Sequence, residues 1–137
     1  MANALFTPAK ESFISQNPSI DMDSDNIKVV GVDHGTDTPV PATDQFLSDI
    51  TAGARIFTTA NLASKTVIGG VFDAADITTT GVSGASVESI VVYKDTGTAA
   101  TSPLVAYFDT GTGFPFTPNG GDVTIQWDNG ASKIFAI

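Results

Sequence analysis

The sequence predicts an all-β domain, built as a β-sandwich or a partly open barrel of about seven to nine short antiparallel strands. Three observations support this class. The segments SVESIVVYKD and PLVAYFD are rich in β-branched and aromatic residues, which favour strands. Turn-forming residues separate such segments at a spacing of roughly ten residues, as in sandwiches and barrels. In DVTIQWD, the residues Val123, Ile125 and Trp127 alternate with polar residues, which indicates a half-buried strand with Trp127 towards the core.

The size and composition fit one folded unit. At 137 residues the chain has the length of a single domain, so we predict one β domain over residues 1–137. Residues 1–20 are predicted to form an N-terminal arm that contains a short helix. With 42% hydrophobic and 15% charged residues, the chain is too apolar to belong to the disordered class.

One or two short helical turns are predicted in the N-terminal third. TPAKESFIS begins with Thr7 as a candidate cap and Pro8 at the first helical position, which predicts a helix over Thr7–Ser15. In TDQFLSDI, either Thr43 or Asp44 is a candidate cap for a second short helix. The apolar residues that this second helix would turn inward are Phe46, Leu47 and Ile50.

Strands follow from β-branched and aromatic segments bounded by turn residues. The first five are predicted over residues 27–33, 55–59, 65–68, 71–72 and 77–82. The last four are predicted in the segments SVESIVVYKD, PLVAYFD, DVTIQWD and SKIFAI. The centres of SVESIVVYKD and PLVAYFD are apolar on both faces, which predicts central strands or strands covered by another subunit.

The apolar segment SKIFAI raises the question of what covers it. Asn129-Gly130 tolerates the positive φ angles of a tight primed turn, so Asp128-Asn129-Gly130 predicts a β-hairpin. SKIFAI should then pair with DVTIQWD and place Phe135 in an apolar layer. We therefore expect this segment to be structural and intolerant of truncation.

Charge and cysteine content restrict the partners. Six basic residues oppose fifteen acidic ones, which gives a formal charge of −9 and a pI near 4.1. Phosphate backbones and anionic membrane surfaces repel such a surface, so neither nucleic acid nor a membrane is an expected partner. The absence of cysteine excludes disulfides and thiolate metal sites. The first ten residues do not resemble a signal peptide, and no apolar run approaches the ~20 residues that cross a bilayer.

The closest approach to a metal motif is DMDSDN, where Asp21, Asp23 and Asp25 match the opening of a calcium-binding EF-hand loop. The match then fails, because Asn26 replaces the turn glycine and Val32 stands where a bidentate glutamate is required. We interpret the segment as a solvated turn and predict no metal. A loose oxygen cage around an ion stays open as an alternative.

No catalytic constellation is predicted. His34, the only histidine, lies beside Asp33 and could be imagined to activate a hydroxyl, but a histidine next to glycine is typical of an exposed turn. GVSGAS lacks the second glycine of a nucleophile elbow, since Ala85 occupies that position. We therefore predict a protein that is not an enzyme and that has no catalytic residue and no cofactor.

Two features suit contact surfaces. GTGFPFTPNGG presents Phe114 and Phe116 in a loop that proline restrains, which lowers the entropy cost of binding through them. Leu5 and Phe6 give the N-terminal arm two apolar residues. We predict these four residues as interface residues. The alternatives are that the loop caps the end of the core and that the arm tucks under its own sheet.

Four stretches carry a resemblance to a protein family. They are FLSDITAGAR, GGVFDAADIT, SVESIVVYKDTGTAATSPLVAYFDTGTG and TPNGGDVTIQWDNGASKIFAI. They resemble small virion structural proteins that tailed bacteriophages encode among their head and tail genes. The likeness covers most of the chain from Phe46 onward and is clearest in the last fifty residues.

The resemblance implies a virion component, assembled in the host cytoplasm, and carries over no catalytic residue. Our first expectation is a capsid cement or decoration protein, bound outside the shell to the major capsid protein, to copies of itself, or to both as a homo-oligomer. The alternative is a neck or tail ring component of the adaptor or terminator type. A carbohydrate-binding surface module is a third alternative, which the scarcity of Trp and Tyr disfavours.

Overall fold

The computed structural model describes residues 3–137. This part of the chain contains ten β-strands, one α-helix and three single turns of 3-10 helix. The strands are β1 (Ala4–Leu5), β2 (Ile27–Val32), β3 (Arg55–Thr58), β4 (Thr66–Ile68), β5 (Val71–Asp73), β6 (Ile77–Thr79), β7 (Ser89–Lys94), β8 (Leu104–Phe108), β9 (Val123–Ile125) and β10 (Phe135–Ala136). The α-helix is α1 (Thr7–Ser15), and the 3-10 turns are Leu47–Asp49, Ala52–Ala54 and Ala99–Thr101. The predicted all-β class with a short N-terminal helix is confirmed. The sequence did not predict the two-residue strand β1.

The strands form three antiparallel sheets. The largest has the order β1-β8-β7-β2-β3, the second β10-β5-β4, and the third pairs β6 with β9. Strands β7 and β8, predicted as central from their apolar centres, lie inside the five-stranded sheet and are buried along nearly their whole length. Both faces of the sheet are therefore covered along most of these two strands.

Helix α1 has the predicted bounds, but its start differs from the prediction. Phe6 takes the N-cap position with extended backbone, and no side chain caps the helix, so Thr7 does not act as the cap. At the other end Gln16 adopts a left-handed conformation, φ 59°, and its N–H donates to the Ser12 carbonyl at 2.8 Å. This C-terminal turn satisfies one carbonyl that the helix end would otherwise leave free.

The second predicted helix is only one 3-10 turn, Leu47–Asp49. Its cap differs from the prediction, because the Asp49 carboxylate accepts the backbone N–H groups of Gln45 at 2.8 Å and Phe46 at 2.9 Å. Asp44 instead accepts the N–H of Val40 in the preceding loop. Two of the residues predicted to turn inward are buried, namely Leu47 and Ile50.

One face of the five-stranded sheet is packed by the N-terminal segment. Val91 lies opposite Tyr107, and Tyr107 lies opposite Ala4, so all three share this face. The Phe6 ring meets the Tyr107 ring edge-on at 6.5 Å, and the His34 ring stacks on it at 6.2 Å. Thus the arm before α1 and the loop after β2 cover this side.

The opposite face carries residues of alternate parity along the same strands. Gly31 lies opposite both Ile90 and Phe57, and Ile90 lies opposite Phe108. The chain around β9 covers this face, since the Trp127 ring lies 6.4 Å from the Phe108 ring. We call it the groove face, because the covering is incomplete, as described below.

The predicted hairpin between β9 and the closing segment is wrong. Strand β9 pairs with β6, and β10 pairs with β5, where Phe135 lies opposite Phe72. The chain is directed away from a hairpin by Trp127, whose backbone N–H donates to Asp76 at 2.9 Å and whose indole N–H donates to the Ala75 carbonyl at 3.2 Å. The segment is nevertheless structural, as predicted, because Phe135 is 9% exposed and its ring lies 5.5 Å from Phe72.

Candidate functional site: an aromatic groove

A wide groove of about 960 Å³ opens on the groove face of the five-stranded sheet. Five aromatic side chains line it, and we call it the aromatic groove. They are Phe57, Phe108, Phe114, Phe116 and Trp127. All except Phe57 are only half-buried, although all pack against the hydrophobic core. The groove thus leaves apolar surface open to solvent inside a concave site.

The floor of the groove depends on a glycine in the neighbouring strand. Phe57 on β3 faces Gly31 on β2, and the Phe57 ring lies where a side chain at position 31 would be. A Cβ atom added at Gly31 would lie 2.1 Å from the Phe57 ring. Gly31 therefore allows the ring to lie flat against the β2 backbone, since any larger residue would collide with it.

The loop that follows β8 forms one wall. Gly113 has φ 97°, a conformation that glycine adopts readily, and turns the chain so that Phe114 lies over the groove. Phe116 is held by two backbone hydrogen bonds with Val87, of 2.7 and 3.1 Å. The Phe116 ring lies 6.4 Å from both the Phe57 ring and the Phe114 ring. These three rings form a continuous aromatic row.

Strand β9 forms the facing wall. Val123 and Ile125 in β9 and Trp127, two residues beyond its end, are half-buried. The polar residues between them are exposed, which confirms the predicted alternation. The pairing of β9 with β6 includes a 2.8 Å hydrogen bond between the hydroxyls of Thr78 and Thr124 on the outer side. The two-stranded β6–β9 sheet thus holds an apolar row against the groove.

The rim of the groove is polar and mixed in charge. The polar residues that line it near β9 are Asp122, Thr124, Gln126, Asp128, Asn129 and Lys133. An apolar centre with a polar border is the usual arrangement of a protein–protein contact surface. Chemically, the site offers ring faces for apolar side chains and hydrogen-bonding groups for the polar border of a partner.

The four residues predicted as interface residues lie in different places. Phe114 and Phe116 both belong to the aromatic groove. Leu5 is half-buried in β1, whereas Phe6 is completely buried against Tyr107 on the other face of the sheet. Phe6 therefore tucks under its own sheet, the alternative that the sequence left open, whereas Asn3 of the arm lines the groove.

Three members of the groove were not predicted as site residues. The sequence predicts Trp127 on the core face of its strand and predicts Phe57 and Phe108 only as strand residues. A signal was present in Gly31, because a glycine within the apolar segment IKVVGV indicates close approach of another group. The sequence does not say that the approaching group is Phe57, which lies twenty-six positions further on in a strand paired by tertiary structure.

The acidic segment around Asp21 is held by its own hydrogen bonds. Asp25 accepts the Asp21 backbone N–H at 2.8 Å and forms an ion pair with Lys94 at 2.9 Å. A hydrogen bond with the Asp23 side chain lowers the pKa of Asp21, and the same hydrogen bond, with the nearby Asp21 charge, raises the pKa of Asp23. Within residues 3–137, no group of three or more candidate ligands could hold a metal ion.

His34 contacts a hydroxyl, but not an accessible one. Its Nε2 lies 2.8 Å from the Ser89 Oγ, and Ser89 is completely buried in β7. The neighbouring Asp33 carboxylate accepts instead from the Gly35 N–H at 2.8 Å and the Thr36 hydroxyl at 3.0 Å. These hydrogen bonds tie the loop after β2 to the sheet. Because Ser89 is completely buried, a substrate could not reach its hydroxyl through the packed core.

None of the helices within residues 3–137 is long and apolar enough to span a membrane. No family model matches the chain, and no curated protein matches it. The protein is therefore an all-β domain with a partly open aromatic groove.

Proposed function

We propose that the protein is a structural component of a tailed-bacteriophage virion, which attaches to the outside of the capsid lattice as a cement or decoration protein. The observation that carries the proposal is the aromatic groove, with four half-buried rings that converge on one concave surface. Aromatic residues are enriched in protein contact surfaces and supply much of their binding energy. The resemblance of residues 46–137 to phage head and tail proteins supplies the biological setting.

The chemistry of the groove favours an apolar segment of the major capsid protein as its occupant. A volume of about 960 Å³ accommodates several side chains of a loop or extended arm. Ring faces contact aliphatic or aromatic side chains, and the rim supplies hydrogen bonds to the backbone of the same segment. A net charge of −9 is tolerated on the outer surface of a shell, away from packaged DNA.

Binding to several points of a lattice raises the total affinity, even when each single contact is weak. One groove that buries a few side chains gives moderate affinity, since association carries a large cost in translational and rotational freedom. A homo-oligomer that binds several lattice points at once gains avidity without new contacts. We therefore propose many copies on the particle, with each groove contributing part of the total affinity.

The decisive test is co-sedimentation of the purified protein with expanded empty shells. The wild-type protein should bind, and Phe114→Ala should weaken binding about tenfold, which corresponds to ~1.4 kcal/mol. Ile14→Ala is the matched control, because Ile14 is 89% exposed on α1 and lies outside the groove. Equal binding of Phe114→Ala and wild type, or no binding of the wild-type protein at any concentration, would contradict the proposal.

The copy number in purified particles separates the lattice role from the ring alternative. A protein that covers the lattice should be present in a number on the order of hundreds, whereas a neck or tail ring contains about six or twelve copies. Quantitative mass spectrometry against the major capsid protein measures this ratio. A ring-sized copy number would assign the groove to contacts between ring subunits and their neighbours.

A further inference from the structure

Strand β4 is an open edge of the three-stranded sheet. Its three residues, Thr66, Val67 and Ile68, are all exposed, and Val67 and Ile68 are exposed by 47% and 74%. Natural proteins usually protect such an edge with a charge, a proline or a bulge. Strand β4 itself has none of these, because residues 66–72 read TVIGGVF and its pairing with β5 is regular. The nearest charge, Lys65, directly precedes the strand, and its ammonium group donates to the Asp25 carbonyl.

The turn that follows β4 determines which backbone groups face outward. Gly69 and Gly70 have φ angles of 61° and 77° and connect Ile68 to Val71 as a two-residue primed turn. In such a hairpin the residues that flank the turn exchange hydrogen bonds, and the next pair does not. The next pair is Val67 with Phe72, so the N–H and C=O groups of Val67 point to the open edge.

We propose that two copies of this chain associate through β4, antiparallel about a two-fold axis centred on Val67. Val67 of each copy then donates its N–H to the Val67 carbonyl of the other copy, which satisfies both outward groups. Thr66 lies opposite Ile68 of the other copy, and this pairing repeats on the other side of the axis. The result is a continuous six-stranded sheet across the dimer. This inference is independent of the aromatic groove and of the virion role.

The inner face of the sheet gives a second reason for an added strand. Phe135, Phe72 and Val67 lie in one cross-strand row, which extends from the core to the open edge. The row borders a cleft of about 580 Å³, whose other side includes Phe13 and Met22. Val67 of a second copy would continue the row and cover apolar surface that is open in one chain.

Charge favours a second copy over a different partner. The chain carries −9, so a basic protein would be drawn to its acidic surfaces, whereas residues 66–72 contain no charge at all. Two identical neutral strands meet without direct like-charge contacts at the axis. Since the remaining surfaces of the two copies repel each other, added salt should strengthen the dimer.

Sedimentation velocity of the full chain over a range of concentrations tests the proposal. The wild-type protein should shift from monomer to dimer, and Ile68→Lys should weaken the dimer tenfold or more by placing two lysines at the new strand pair. Ile14→Lys makes the same change at an exposed site outside β4 and should dimerise as the wild type does. Dimerisation of Ile68→Lys with wild-type affinity, or a wild-type chain that stays monomeric up to about 1 mM, would overturn the proposal.

Amide hydrogen exchange gives a readout that needs no variant. The Val67 N–H should exchange fast in dilute solution and become protected as the concentration rises, whereas the Ile68 N–H should be protected throughout. Val67→Pro removes this outward donor and leaves the hydrogen bonds between β4 and β5 in place, so the variant should fold and remain monomeric. A Val67 N–H whose exchange does not change while the protein dimerises would place the interface elsewhere and overturn the proposal.

Discussion

The contact between Gly31 and Phe57 provides the sharpest test of how the groove floor is built. In Gly31→Ala, the new Cβ would lie 2.1 Å from Cε1, 2.5 Å from Cδ1 and 2.9 Å from Cζ of the Phe57 ring. Ordinary carbon contacts are about 3.5–4.0 Å, so the ring must move by more than an ångström. Phe57 is only 7% exposed and contacts Phe116, which limits its movement to the direction of the groove.

The expected loss in the free energy of unfolding follows from two opposing effects. Overpacking of a core costs about 1–3 kcal/mol. Replacement of a strand glycine returns about 0.5–1 kcal/mol through the lower entropy of the unfolded chain. The net loss for Gly31→Ala should be about 1–2 kcal/mol, measured by urea unfolding with Trp127 fluorescence.

A double-mutant cycle identifies the cause of this loss. Phe57→Ala alone should cost about 3–4 kcal/mol, because it empties a buried ring site. In the double variant the new methyl group at position 31 has room, so the combined loss should be smaller than the sum by about 1–2 kcal/mol. Exact additivity, or a Gly31→Ala variant as stable as the wild type, would refute the packing described for Gly31 and Phe57.

Two further predictions concern the closing strand and an ion pair. Phe135→Ala should lower the free energy of unfolding by about 3 kcal/mol, because Phe135 is buried. The control Ile14→Ala should change it by less than about 0.5 kcal/mol, because Ile14 is exposed. Equal effects of the two substitutions in thermal denaturation would contradict the placement of β10. The Lys28 hydrogen bond, 2.7 Å long, lowers the pKa of Asp95, so this stabilisation is present above the ordinary carboxyl pKa of 3.8 and is lost as the pH falls through the lowered value. Asp95→Asn should therefore be less stable than wild type by about 0.5–1 kcal/mol at pH 7, and the difference should shrink as the pH falls through the lowered pKa of Asp95. A difference that does not change with pH would mean that charge is not its source.

Local patterns in the sequence predicted most of the elements. The interior position of β7 and β8 follows from apolar residues on both faces, which only a covered strand can bury. The bounds of α1 follow from Pro8 near its start and the break before Pro18. Each of these signals lies within a few residues of the element that it specifies.

Strand partners were harder to predict because they depend on contacts between distant residues. Asn129-Gly130 favours a hairpin locally, but the hydrogen bonds of Trp127 to the segment 75–76 hold β9 against β6 and turn the chain away. Phe135 then pairs with Phe72, which offers a more deeply buried site than the half-exposed β9. The burial of Phe135 against Phe72 outweighs the turn propensity of Asn129-Gly130, and no local sequence pattern predicts this pairing.

The candidate site was predicted only in part, again because it depends on contacts between distant residues. The loop containing Phe114 and Phe116 stood out through its aromatic, glycine and proline content. Phe57, Phe108 and Trp127 join that loop only through the sheet and the β6–β9 pair. The arm residue Phe6 is the opposite case, because it was predicted as an interface residue and is completely buried in the core.

We propose that the aromatic groove is the surface that meets the capsid. Hydroxyl-radical footprinting with mass spectrometry, on the protein alone and bound to expanded empty shells, measures this directly. Phe114, Phe116 and Trp127 should become protected on binding, while Ile14 should oxidise at an unchanged rate. Bound protein in which the three groove residues oxidise as fast as in the free protein would contradict this proposal.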